Sequence, residues 1–77
     1  MNQGIRSDST IGNNIRRFRN EAGLTQDQLA AQMQTLGCDI TRGTLAKIEA
    51  GIRHISVLEL KAIREVLHKS SSDIFGG

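Results

Sequence analysis

The sequence predicts an all-α fold, a compact bundle of four to five short helices in one domain. Three observations carry that prediction. Proline is absent from the 77 residues, so no ring or missing N–H interrupts a helix. The β-branched residues are scattered rather than alternating, so no strand period of two appears. A helix-start signature also recurs, in which an apolar residue precedes a hydroxyl residue and another apolar residue follows four positions later. Leu24-Thr25 leads to Gln28-Leu29, Ile40-Thr41 to Thr44-Leu45, and Ile55-Ser56 to Glu59-Leu60. In each, the hydroxyl can accept an orphan amide of the first turn while the flanking apolar pair fixes the angle of entry. Thr25 with Gln28 and Ser56 with Glu59 complete the reciprocal capping box.

The elements follow in order. Residues 1–9 are polar, include Gly4, Ser7 and Ser9, and have no period. They read as a flexible N-terminal arm, with the folded domain occupying 10–77. Thr10 caps a helix over 11–22, whose apolar stripe is Ile11, Ile15, Phe18 and Ala22 and whose end is Gly23. The second helix spans 26–35 and turns Leu29, Ala30 and Met33 inward. The third spans 42–50, with Thr41 as its cap and Gly51 just past its end. The fourth spans 57–67, with Val57, Leu60, Ile63 and Leu67 inside. The tail from Ser70 forms one last turn in which Ile74 and Phe75 close the core; a disordered end is the alternative.

A chain of this size buries a small core and folds with a modest margin. Cys38 is alone, and no apolar run approaches the roughly 18 residues that cross a membrane. With no signal peptide in view, the expectation is a cytoplasmic protein without membrane contact. Paired catalytic carboxylates, a nucleophile beside a base, a phosphate-binding glycine loop and a metal-ligand cluster are all missing, so an enzyme is the least supported class and no metal or cofactor is expected. Net charge is only +2, but Arg16, Arg17, Arg19, Arg42, Lys47 and Arg53 gather between the first helix and the end of the third. That distribution points to an anionic partner more than the total does.

The third helix has two unlike faces. At about 100° per residue, Leu45, Ile48 and the flank of Glu49 face one way, and Gly43, Ala46, Lys47 and Ala50 the other. A small-residue, basic surface lets a helix lie close to a partner, and a DNA major groove admits such a helix. The pair of second and third helices then has the helix-turn-helix form. The amides that open the second helix at Thr25-Gln26 favour a phosphate oxygen. Arg42 can bond guanine bidentately, and Lys47 can donate to guanine O6 or N7. Ala46 and Thr44 offer methyls to thymine, and Gly43 offers close approach. Arg53 and Arg16 are placed for phosphates.

The run from Ile15 to Ala30, with its Gly23-Leu24-Thr25-Gln26 and Leu29-Ala30, followed by Ile48-Glu49-Ala50-Gly51, resembles the Cro/repressor-type (XRE-like) helix-turn-helix family. The resemblance covers about 11–75, and the two blocks are specific in combination. It implies a lambda-repressor-like, five-helix DNA-binding domain that acts as a homodimer on double-stranded DNA. Carried over by position, Arg42, Gly43, Ala46 and Lys47 fall where the family reads bases. Thr41 falls at the helix entrance near the backbone, and Gln26 on the glutamine that touches phosphate. Arg19 and Glu49 fall on a partly buried pair that ties the first helix to the recognition helix. Two departures stand out. Residues 36–40 make a longer turn than relatives have, and Arg64 replaces a small residue.

The functional expectation is a sequence-specific transcriptional regulator, a repressor on a pseudo-palindromic operator. The alternative is a protein-interaction module on the same fold, such as an antitoxin or accessory factor. Backbone contacts are assigned to Thr25, Gln26, Thr41, Thr44, Arg53 and Arg16, although Arg16 and Arg17 suit solvent equally. Cys38 reads as a neutral, partly buried thiol, and His54 and His68 as solvated. Leu58 and Val66, off the main stripe of the fourth helix, are the candidates for a dimer surface.

Overall fold

A computed structural model describes residues 3–76, with side chains from residue 9 onward. Five helices follow in order: α1 (Gln3–Glu21), α2 (Gln26–Thr35), α3 (Arg42–Glu49), α4 (Val57–Leu67) and α5 (Ser71–Phe75). α1 lies against α3 and α5, and α2 against α3 and α4. The core between them is closed by Ile15, Leu29, Met33, Leu45, Ile48, Ile63 and Ile74, all essentially without solvent contact. None of the described helices is long and apolar enough to cross a membrane.

α2 and α4 have the predicted bounds, and α3 stops one residue earlier, with Ala50 as its C-cap. Thr25, Thr41 and Ser56 each accept the N3 amide, and both predicted capping boxes form. A third box, unforeseen, starts α5: Ser70 accepts from the Asp73 amide, and Asp73 accepts from the Ser70 amide.

Four expectations need correction. α1 begins at Gln3 instead of residue 11, so Thr10 lies within the helix and residues 3–9 of the expected arm have helical backbone. Met1 and Asn2 lie outside the described residues. The reason is tertiary. A Cβ on Gly51 would stand 3.1 Å from Ser9 Cα, so α1 at Ser9 packs on the residue that follows the α3 C-cap. Ala22 is exposed, just past the last turn of α1. Val57 is 85 % exposed: it lies about 120° around α4 from Ile63, and Glu59 and Ala62 take the buried positions instead. Phe75 is half-exposed, leaving Ile74 alone to close the core.

The long turn after α2 is packed rather than slack. Gly37 adopts φ 88°, a left-handed conformation that a side chain disfavours, and its amide bonds Gln34 O. Cys38 N then bonds Met33 O, completing a Schellman motif. Cys38 and Ile40 are buried, and the Gln34 side chain donates to Ile40 O at 2.6 Å. The extra residues thus fix the start of α3.

Candidate nucleic-acid interface

α3 presents two faces, as its sequence predicts. Leu45, Ile48 and Glu49 are buried; Arg42, Gly43, Lys47 and Ala50 are exposed, with Thr44 and Ala46 half-buried between them. Thr41 Oγ1 accepts from Thr44 N and donates to Thr44 Oγ1, both at 3.1 Å, so the two hydroxyls are held together at the helix entrance. Gly43 has open space around it: an added Cβ would meet only Thr41 Oγ1, at 3.9 Å. Nothing in the fold requires glycine there. Arg42 Nε reaches Asp27 Oδ2 on α2 only at 4.0 Å, and both side chains are exposed, so the pair is weak. Among the described residues Lys47 has no acid within ion-pair distance.

Behind this face a buried network fixes α3. Glu49, at its last turn, is gripped bidentately by Arg19 of α1, with Nε to Oε2 at 2.7 Å and Nη2 to Oε1 at 2.9 Å. Arg19 Nη1 also donates to Leu24 O at 2.9 Å. Gln26, the first residue of α2, donates to Glu49 Oε1 at 3.0 Å. Arg16 Nε stands 3.6 Å from the same oxygen, its side chain half in solvent. One carboxylate therefore ties three helices. Burial alone raises the Glu49 pKa, but hydrogen bonds from Arg19 and Gln26 and the charges of Arg19 and Arg16 outweigh it, leaving a net value below the ordinary one. Among the described residues, every buried side-chain nitrogen and oxygen has a partner.

The predicted site residues divide into three groups. Arg42, Gly43, Ala46 and Lys47 share the accessible side of α3. Thr25 stands exposed at the start of α2, which the Arg42–Asp27 pair joins to α3. Gln26, Arg16 and Arg53 all have partners within the protein. Arg53 Nη1 donates to Glu59 Oε1 at 2.8 Å and to His54 O at 3.1 Å. Glu59 is the same carboxylate that accepts the Ser56 amide, and burial is outweighed there too by Arg53 and Ser56, so its pKa lies low. The role of Glu59 in the cap was legible from its spacing; its pairing with Arg53 was not. Gly12 was also missed. A Cβ there would fall 2.4 Å from Glu49 O, so α1 rests directly on the carbonyl end of α3. Cys38 is buried, and burial, aided by Glu59 and Asp39, pushes its thiol pKa up, away from the reactive thiolate.

The sequence model of the helix-turn-helix family matches residues 15–74, a span that contains α2, α3 and the network beneath them. The chain belongs to the XRE-type helix-turn-helix family. It is a DNA-binding regulator of that type. Comparison with curated proteins and with solved structures finds no match. The packed turn of residues 36–41 and the Arg19–Glu49 grip are how this helix-turn-helix domain holds α3 against its scaffold.

Proposed function

We propose that this regulator is a sequence-specific repressor that binds a pseudo-palindromic operator as a homodimer. Arg42, Gly43, Ala46 and Lys47 read bases; Thr25, Gln26, Thr41, Thr44, Arg53 and Arg16 hold phosphates. One observation carries the reading. The exposed side of α3 is unclaimed by the fold, with Gly43 in open space, while its buried side is tied to two other helices. A glycine that the fold does not need, in a helix that it weakens, is explained by the close approach of something outside. Arg42 exchanges a weak contact with Asp27 for a base edge. Arg53 can turn a free edge of its guanidinium to a phosphate while keeping Glu59.

The dimer surface shifts from the sequence expectation. Val66 packs on the core, whereas Ile52, Val57 and Leu58 are exposed between the end of α3 and the start of α4. An operator with half-sites about 34 Å apart would require two such patches in contact to set the two α3 helices at that spacing.

The test is selection of bound duplexes from a random pool at physiological salt. An enriched palindrome is expected. Arg42→Ala should relax preference at one base pair, and Arg53→Ala should weaken all sequences alike and reduce the salt slope. Unchanged preference in Arg42→Ala would remove the reading face. Survivors that share no sequence, with an affinity insensitive to salt, would favour the protein-interaction module.

A further inference from the structure

A second basic surface lies on α4, apart from the α3 face. Lys61, Arg64, Glu65 and His68 recur at three- and four-residue spacing on its outer side. With Lys69 they line an open depression of about 590 Å³. Glu65 and His68 also border a second depression of about 260 Å³, which continues to the end of α2 and is lined there by Leu36 and Val66. The two share Glu65 and His68 and make one groove, basic along α4 and, at its far end, lined by Leu36 and Val66 among the polar Gln32 and Thr35.

Its charge is uncompensated. Ion pairs among the described residues engage Arg16, Arg17, Arg19, Arg42 and Arg53; none engages Lys61 or Arg64. The Lys69 ammonium lies 4.5 Å from the centre of the Phe18 ring, a contact that steadies it without neutralising it. Glu65 is the single carboxylate facing three cations. Leu36, at the far end, is half-exposed.

We propose that this groove docks an acidic, amphipathic segment of a partner protein, with carboxylates on Lys61, Arg64 and Lys69 and an apolar side chain between Leu36 and Val66. A second copy of the chain is disfavoured, because a two-fold contact would set the same cations against each other. A nucleic-acid backbone would satisfy the cations and leave the Leu36–Val66 half unused. Arg64 and His68 lie at the C-terminal end of α4, a helix about 16 Å long, whereas Arg53 precedes its N-terminus. The segment therefore binds while α3 is engaged elsewhere, and the groove does not depend on what α3 reads.

The probe is a synthetic helical peptide of glutamate and leucine, titrated into the full isotope-labelled chain and followed by amide shifts. Shifts are expected at Lys61, Arg64, Glu65, His68, Lys69 and Leu36. Binding should weaken about tenfold when glutamine replaces glutamate in the peptide, as expected from several exposed charge pairs. Lys61→Glu with Arg64→Glu should abolish it, and Lys61→Gln with Arg64→Gln should do so in part if the reversal unfolds the domain. Three results would overturn the proposal: peptide shifts confined to α3 or absent; the same groove residues shifted equally by a DNA duplex of arbitrary sequence; or shifts that grow with protein concentration alone, which would assign the face to a second copy.

Discussion

Two residues stand in conformations or places that the fold itself does not favour, and they differ in consequence. His68 takes φ 56°, the left-handed cap that follows α4, where Gly37 and Gly51 serve α2 and α3. The amide of Lys69 bonds Arg64 O at 3.1 Å across it, so the motif is intact and only the residue type is unfavourable. His68→Gly should therefore stabilise the domain by up to about 1 kcal/mol, visible as a higher urea midpoint with an unchanged slope. Gly43 is the converse case, an allowed backbone with a missing side chain. Gly43→Ala should stabilise by up to about 1 kcal/mol, because the site has space for a methyl. If α3 lies in a groove as proposed, the same methyl should weaken operator binding about tenfold. A variant more stable and equally tight would show that nothing approaches Gly43.

At the scale of elements, the starts of α2, α3 and α4 were legible and most contacts between helices were not. The cap signature pinned α2, α3 and α4 because a hydroxyl at the cap and its N3 partner are close in sequence, so the interaction that decides the boundary is local. The start of α5 was hidden within Ser70-Ser71-Ser72, where any of three serines can cap. α1 was shortened because its first turns are polar and the approach of Ser9 to Gly51, some forty residues away in sequence, is not local. The candidate site follows the same rule. The faces of α3 were readable from period alone, and the Arg19–Glu49 pair from family resemblance. The bonds of Gln26 to Glu49 and of Arg53 to Glu59 required the fold. Gly12 is the strongest case, for it looks like a flaw in a helix. Gly12→Ala puts a methyl 2.4 and 2.5 Å from the carbonyls of Glu49 and Ile48. Backbone must move, so the substitution should destabilise by about 1–3 kcal/mol despite alanine's better helix propensity, read as a lower thermal midpoint.

For the whole molecule, the buried carboxylate sets how stability responds to acid. A domain of this length has a total margin of roughly 4–12 kcal/mol, so one buried ion pair is a large fraction of it. Glu49 and Glu59 both have native pKa values below the ordinary one. Groups depressed in this way contribute stability that is fully present above the unfolded value, about pH 4.3, and is lost as pH falls through the native value. Stability should thus be flat through neutral pH, so far as these carboxylates decide it, and decline below about pH 5. Glu49→Gln alone would leave Arg19 buried without its counter-charge, at a cost of about 3–5 kcal/mol, a large part of that margin. Replacing both partners, Arg19→Met with Glu49→Leu, removes the unpaired charge and the titrating group together. That double variant should fold with near-native or greater stability at pH 7 and show a shallower acid limb, with Glu59 and Asp73, both also held low, contributing to what remains. Urea midpoints followed by circular dichroism from pH 7 to pH 3 measure both quantities. An acid limb as steep as that of the parent would show that the grip on Glu49 is not what acid undoes.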